Sequence, residues 1–477
     1  MTLDCPRIVI AGTHSGVGKT SLSLAVVAAL RKRGLKVQTF KVGPDFLDPS
    51  YLTVASGRPC YNLDGWMAGR EYVCRLFART SKNADISLIE GVMGLFDSAG
   101  PATSEGSTAE IARWLNAPVL LVAEVGGMAR SLAAMVKGYS RFEEGLNVAG
   151  VIANRCGSER HASILAESLA AENMPPLVGG MIQDGLPLLP SRHLGLVTAD
   201  SRNLPPAVLD GLAEAFERYA SVDEVLKIAR SAPSINVNSL IIPPLAGGTE
   251  GGGGIETPPK RVTIGVARDA AFHFYYQDFF DEMEERGCTL NYFSPIADSL
   301  LPDNLDALYF GGGYPEECAE ALSANGDMLS DVRNFSASGR PVYAECGGLM
   351  YLCRTLEKLD GVKYPMAGLI PASTRMLDRL RSLGYVEVTL NADSLWGGRG
   401  AILRGHEFHY SELTTEPTDD PSWTTVYSLK GRRSHNVKGE GFQNGRILAS
   451  YVHLHLASRP EALRYFIDNL FVSSVNK

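Results

Sequence analysis

One string constrains the first half of the chain more than any other feature. Gly12-Thr13-His14-Ser15-Gly16-Val17-Gly18-Lys19-Thr20 follows the β-rich run Arg7-Ile8-Val9-Ile10-Ala11 directly. It opens an apolar, helix-forming stretch from Lys19 to Arg33 that Gly34 closes. A Gly-rich loop between a strand and a helix is the context a phosphate cradle requires. Gly16 and Gly18 let the backbone wrap with its N–H groups facing an anion. Lys19 supplies a point charge for the β- and γ-phosphates, and the Thr20 hydroxyl is placed to ligate Mg²⁺. An ordinary Gly-rich turn is the competing explanation. The spacing departs from G-x-x-x-x-G-K-[ST], because Thr13 stands where the first Gly belongs and Gly12 precedes it.

The same half contains further short apolar runs, at Lys36 to Phe40, Ile86 to Ile89, Pro118 to Ala123 and Val148 to Ala153. Near-continuous apolar runs mark strands covered on both faces, so they predict a parallel α/β sheet. Composition shifts after Ala229. Residues 231–259 hold Pro243-Pro244, the four glycines Gly251 to Gly254, and Pro258-Pro259, which together read as a flexible linker. Strand–helix alternation resumes at Val262 and continues through Ala307 to Phe310 and Pro341 to Ala344. A length of 477 residues, at about 150 per domain, suits two or three domains. The expectation is two α/β domains, residues 1–230 and 261–477, joined by a linker at 231–260.

Charge and cysteine usage exclude other classes. With 53 Asp+Glu against 45 Lys+Arg, the net charge of −8 argues against a nucleic-acid binder. An anionic substrate then needs a locally basic pocket. No apolar stretch approaches the ~20 residues that span a bilayer, and the N-terminal run resembles no targeting signal. The 8 cysteines form no C-x-x-C pair, so a reducing, cytoplasmic setting is expected, with buried apolar thiols for all but one. The oligomeric state stays open, a homo-oligomer included.

Acidic residues stand at other strand ends. Lys41-Val42-Gly43-Pro44-Asp45-Phe46-Leu47-Asp48-Pro49 follows the second strand, where Asp45 and Asp48 would face the ligand crevice of a parallel sheet. Solvated turn aspartates are the alternative. Glu90 ends the Ile86 to Ile89 run, and a carboxylate there is expensive unless paired or metal-bound. Beside a phosphate loop, Mg²⁺ is its natural partner.

The second half carries Pro341-Val342-Tyr343-Ala344-Glu345-Cys346-Gly347-Gly348-Leu349, a strand running straight into Cys, two glycines and a helix. This is a nucleophile elbow in cysteine form. The helix start should lower the Cys346 pKa, and the Gly347 N–H can face a developing oxyanion. Gly311-Gly312-Gly313-Tyr314-Pro315-Glu316 follows an earlier strand, and the Gly312 and Gly313 backbone is expected to complete that hole. A buried structural Cys is the bland alternative. Near the C-terminus, Ser450-Tyr451-Val452-His453-Leu454-His455 supplies histidines. Arg404-Gly405-His406-Glu407-Phe408-His409-Tyr410-Ser411 is either part of a site or a solvated loop.

The phosphate loop resembles that of dethiobiotin synthetase and of the cobyrinate a,c-diamide synthase family. The strings around Asp45 and Asp48, Glu90-Gly91-Val92-Met93-Gly94-Leu95-Phe96-Asp97, Tyr61 to Met67, and Ala153-Asn154-Arg155-Cys156-Gly157 also resemble that family. The order of Gly loop, Cys elbow and late His resembles class I glutamine amidotransferases. The resemblance implies an ATP- and glutamine-dependent amide ligase acting on side-chain carboxylates of an anionic tetrapyrrole, with ATP and Mg²⁺ as cofactors. It implies Cys346 as nucleophile and His453 as base, with Gly312, Gly313 and Gly347 at the oxyanion. Asp45, Asp48 and Glu90 fall to the phosphoryl site, with Thr20, Asp45 and Glu90 at the metal. Gly12, Thr13, Gly16, Val17, Gly18, Lys19 and Thr20 hold the nucleotide, and Asn154 contacts the adenine. Where most class I members have Glu two residues after the His, this chain has His455, leaving the group that orients His453 open. Nickel-sirohydrochlorin and hydrogenobyrinate are the competing substrates. A nucleotide switch with a degenerate binding module is the competing non-enzyme.

Overall fold

In the computed structural model the apolar runs of the first half form one seven-stranded sheet. The structure describes residues 2–98, 100–187, 189, 191–192, 195–196, 204–236, 262–432 and 436–472. The chain forms two compact units, residues 1–248 and 249–477. Among the described residues, no helix is long and apolar enough to cross a membrane.

The strands of the first sheet are β1 (Arg7–Gly12), β2 (Val37–Val42), β3 (Tyr61–Leu63), β4 (Ile86–Gly94), β5 (Val119–Glu124), β6 (Val148–Cys156) and β7 (Leu177–Ile182). They pair in the order β3-β2-β4-β1-β5-β6-β7, parallel throughout. Every residue of β1 and β2 is buried, because helices cover both faces. Helix α1 (Lys19–Lys32) packs Leu22, Val26 and Leu30 into one core with Ile8, Ile10, Leu88 and Val122. Truncating one such Leu to Ala typically costs about 2–5 kcal/mol. Gly34 ends the helical run in the left-handed conformation, φ +80°, which only glycine adopts without strain.

Register then assembles the site. β4 lies between β1 and β2, with Glu90 paired to Ile10 on one side and to Lys41 on the other. On the far side of β1, Asn154 of β6 pairs with Glu124 of β5. Lys41, Glu124 and Asn154 therefore sit toward strand C-terminal ends, with Glu90 in register beside Lys41, on the side where a parallel sheet opens its ligand crevice.

The linker expected at 231–260 lies outside the described residues from 237 onward. Its start requires correction. Ile235–Asn236 pairs antiparallel with Thr2–Leu3, so the first unit extends past 231. The physical reason is Arg7, fully buried, whose guanidinium donates to the carbonyls of Cys5, Leu115, Asn116 and Pro233. A buried charge needs those acceptors, and Pro233 supplies one of them.

The second unit is built on a ten-stranded mixed sheet. Its strands are β8 (Thr263–Ala267), β9 (Thr289–Phe293), β10 (Ala307–Phe310), β11 (Val342–Glu345), β12 (Ser382–Leu390), β13 (Ile402–His409), β14 (Thr424–Gly431), β15 (Val437–Asn444), β16 (Ile447–Ser450) and β17 (His453–His455). The order is β9-β8-β10-β11-β16-β15-β14-β12-β13-β17, parallel from β9 to β16 and antiparallel beyond. Only Tyr451 and Val452 separate β16, in mid-sheet, from β17 at its end. That short link reaches at most about 10 Å, so the antiparallel half must curl back toward β16. The curl brings β13 against the end of β11.

Candidate functional site

The phosphate loop adopts the backbone its glycines permit. Gly16 and Gly18 have φ of +80° and +97°. A Cβ on Gly18 would lie 2.5 Å from Asn154 Nδ2, and one on Gly12 would lie 2.6 Å from Val17 Cγ1. Asn154 Nδ2 donates to Val17 O at 2.8 Å, so this residue braces the loop from β6. Tyr139 donates to Thr13 O at 2.6 Å. Lys19 is buried and its ammonium donates to Met93 O at 2.5 Å. Burial, then the charge of Lys41, pulls its pKa down.

Lys41 is the residue that sequence reasoning missed. Its buried ammonium donates to Asp48 Oδ2 at 2.5 Å and Glu90 Oε1 at 2.8 Å, and lies 3.9 Å from Asp45 Oδ2. Burial works against this charge, but the three carboxylates outweigh it and hold the pKa well above the usual lysine value. Burial and the neighbouring Asp48 push Glu90 up to about 7 and Asp45 up to about 6. Burial also acts to raise Asp48, yet its contact with Lys41 prevails and holds it low. A lysine inside a wholly buried strand was the available signal, since such a charge must find a partner.

Thr20 and Glu90 meet: the hydroxyl donates to Glu90 Oε1 at 2.8 Å. The other carboxylate oxygen, Oε2, is buried with no hydrogen-bond partner. An orphaned carboxylate oxygen beside a hydroxyl is a hard-cation donor set, so these two residues fit Mg²⁺. Asp45, 3.9 Å from the Lys41 ammonium, is engaged differently. Its Oδ1 accepts the N–H groups of Leu47 and Asp48 at the start of helix α2 (Leu47–Ser56). Among the described residues, no group of three or more His, Cys, Asp or Glu could hold a metal unaided. Nucleotide oxygens and water would have to complete the shell.

In the second unit Cys346 joins β11 to the short helix Gly347–Leu352 with φ +46° and ψ −100°. Such a conformation costs a non-glycine residue about 1–3 kcal/mol and marks a nucleophile elbow. Two glycines make it possible. A Cβ on Gly348 would lie 2.3 Å from Phe310 O, and one on Gly347 would lie 3.1 Å from Gly313 N. The Gly347 and Gly313 amides are therefore neighbours. Gly312 O accepts from His273 and Phe274, fixing the Gly loop, and a Cβ on Gly312 would lie 2.3 Å from His453 Cε1.

Strand β13 touches both Cys346 and His453. Cys346 Sγ faces Phe408 O at 3.7 Å, while His453 pairs with His406 two residues earlier on the same strand. The segment Arg404 to Ser411 is thus sheet within the site, not a solvated loop. One expectation fails here. Burial, then Glu316, pushes the Cys346 thiol up, and the Gly347 N–H opposes this without prevailing. A helix start lowers a thiol pKa, but burial in apolar surroundings raises it. Of the eight cysteines, Cys318 is the half-buried one and Cys346 is buried.

Burial also holds His406 and His409 well below the ordinary histidine range, His409 at about 4, so both stay neutral beside His453. His453 Nδ1 lies 3.7 Å from Glu345 Oε2, whereas His455 lies 3.6 Å from Asp278. Glu345 was legible in principle, as a carboxylate ending a buried run by the same reasoning that singled out Glu90.

A phosphate-binding loop at the crevice of a parallel sheet, with a strained cysteine and histidine on a second sheet, defines a nucleotide-binding domain joined to a glutamine amidotransferase domain. Residues 8–196 match the CobQ/CobB/MinD/ParA nucleotide binding domain, and residues 263–461 match the CobB/CobQ-like glutamine amidotransferase domain. Over its length the chain is 55% identical to the cobyrinate a,c-diamide synthase of Syntrophotalea carbinolica, covering 98% of this chain and 99% of that one. The enzymes of the same name from Leptospira interrogans (strain Fiocruz L1-130) and Archaeoglobus fulgidus are 44% and 39% identical, each over 98% of this chain and 99% and 98% of their own. The chain belongs to the cobyrinate a,c-diamide synthase family.

Proposed function

We propose that this chain amidates two side-chain carboxylates of cobyrinate, the a and c groups, using ATP and glutamine. The observation that carries this reading is the pairing of two unlike sites on one chain: a phosphate loop with Lys19, Thr20 and Glu90, and a Cys346 elbow with His453. The identity to full-length relatives of that name supports cobyrinate over the other tetrapyrroles. Free thiols throughout fit a reducing, cytoplasmic setting.

In the second unit His453 takes the thiol proton as Cys346 Sγ adds to the amide carbon of glutamine. The Gly347 and Gly313 N–H groups face the oxygen as it becomes an oxyanion. His453 returns the proton to the departing nitrogen, ammonia leaves, and water releases glutamate from the thioester. In the first unit the loop N–H groups and Lys19 hold the β- and γ-phosphates while a substrate carboxylate oxygen attacks the γ-phosphorus and ADP leaves. Thr20 and Glu90 would hold Mg²⁺, which would supply neutralisation of phosphate charge. Ammonia then attacks the acyl phosphate and inorganic phosphate departs. Each round exchanges one hydroxyl for one amino group and consumes one ATP, one glutamine and one water.

A substrate panel tests this. Cobyrinate, hydrogenobyrinate and nickel-sirohydrochlorin are each incubated with ATP, Mg²⁺ and glutamine, and products are read by mass. Two hydroxyl-to-amino exchanges on cobyrinate are expected. A protein that releases no glutamate from glutamine, or that amidates only another macrocycle, would contradict the reading.

A further inference from the structure

The group that orients a catalytic imidazole must be a carboxylate or carbonyl at its second nitrogen, and it sets tautomer and direction. In this chain the position two residues after His453 is His455, whose imidazole lies against Asp278 and Tyr276. The carboxylate beside His453 Nδ1 comes instead from Glu345, at 3.7 Å, and both side chains are buried, 1% and 5% exposed. That distance is too long for a direct hydrogen bond and well within Coulombic reach in a dry interior.

Glu345 is itself held rigidly. Tyr343 donates to Oε1 at 2.6 Å, Tyr309 to Oε2 at 3.0 Å, and the Leu454 amide to Oε1 at 3.1 Å. Three donors and no lysine or arginine among these contacts make a fixed carboxylate acceptor. Its other ionisable neighbours are Tyr275, Tyr427 and Cys346, and His406 stacks on His453 from β13. Through Leu454 the carboxylate also grips the chain next to the base. Because Glu345 directly precedes Cys346, one residue references both nucleophile and base to the same strand end.

With Nδ1 toward Glu345, the opposite edge of the ring faces the Gly loop, where a Cβ on Gly312 would lie 3.2 Å from His453 Nε2. That is the edge a thiol proton must reach. We propose that Glu345 is the positioning residue of the glutaminase dyad, taking the place that a carboxylate after the histidine would otherwise hold. This rests on the reading of Cys346 and His453 as a glutamine-hydrolysing pair.

The test compares wild type, Glu345→Gln, Glu345→Asp and Asp278→Asn for glutamine hydrolysis and for amidation with ammonium. Glu345→Gln should lower glutaminase kcat by about 10²–10⁴-fold with KM within about threefold, as when an orienting carboxylate loses its charge. Ammonium-dependent amidation should persist, because that chemistry is assigned to the first unit. Glu345→Asp keeps the charge. It should recover most of the rate, with a loss of about tenfold, and it carries the test should the Gln variant fail to fold. Asp278→Asn should leave the glutaminase within about threefold. A Glu345→Gln glutaminase at the wild-type rate, a loss in KM rather than kcat, or the large loss appearing in Asp278→Asn instead would each overturn the proposal. A wild-type protein without glutaminase activity would fail the underlying reading instead.

Discussion

The two sites handle charge in opposite ways. In the first unit two lysines and three carboxylates lie close together, and Lys41 touches both Asp48 and Glu90. In the second, Cys346 is pushed toward the neutral thiol by burial, and His406 and His409 are held neutral beside it. The difference follows from the reactions proposed. A polyanion with a metal needs compensating charges already in place, whereas an amide needs an apolar pocket with dipoles aimed at one oxygen. The first site is therefore a balance that single substitutions upset. The second is a geometry that single substitutions misalign.

Lys41→Met attacks that balance most directly. Removing one partner of a buried ion cluster leaves carboxylates uncompensated, so a loss of about 3–5 kcal/mol in unfolding free energy is expected, read by chemical denaturation. A variant as stable as wild type would show that the carboxylates accept protons at no cost.

Lys19→Ala should remove ATP-dependent amidation with either nitrogen donor by about 10²–10³-fold. Alkylation of Cys346 by a glutamine-mimicking diazoketone should continue, since the thiol belongs to the other unit. Amidation at the wild-type rate would sink the phosphate-loop assignment.

Glu90→Gln and Asp45→Asn separate the carboxylates. Glu90 has the orphaned oxygen beside Thr20, while Asp45 accepts N–H groups at the start of α2. The expected loss is about 10²-fold for Glu90→Gln and under about tenfold for Asp45→Asn, with ammonium as donor. Equal losses would return Asp45 to the metal.

The smallest effect is on pH. Burial and Asp48 raise Glu90 to about 7, so below that value the carboxyl holds a proton that Mg²⁺ must displace. Mg²⁺-dependent nucleotide binding, followed calorimetrically, should weaken as pH falls from about 8 to about 6. Affinity that is flat, or that rises toward acid, would contradict the metal role of Glu90.

Much of this was legible in the sequence where the demand is local. Gly16, Gly18, Gly347 and Gly348 announce backbone that only glycine tolerates, and the apolar runs announced the parallel sheet. What the sequence did not disclose depends on register between distant strands. Lys41 matters because β2 lies beside β4, and Glu345 because β17 returns to the end of β11 across two residues. The lowered thiol pKa was a local inference, and tertiary burial overrode it. The linker boundary failed similarly, because Pro233 is needed by Arg7, 226 residues away.

The most direct test of two separate chemistries is Cys346→Ala, assayed for amidation of cobyrinate with glutamine and with concentrated ammonium at alkaline pH. The thiol is assigned to releasing ammonia alone, so glutamine-dependent turnover should fall by about 10³-fold or more. Ammonium-dependent turnover should remain within about threefold of wild type. Equal loss with both donors would contradict the division of labour between the two units.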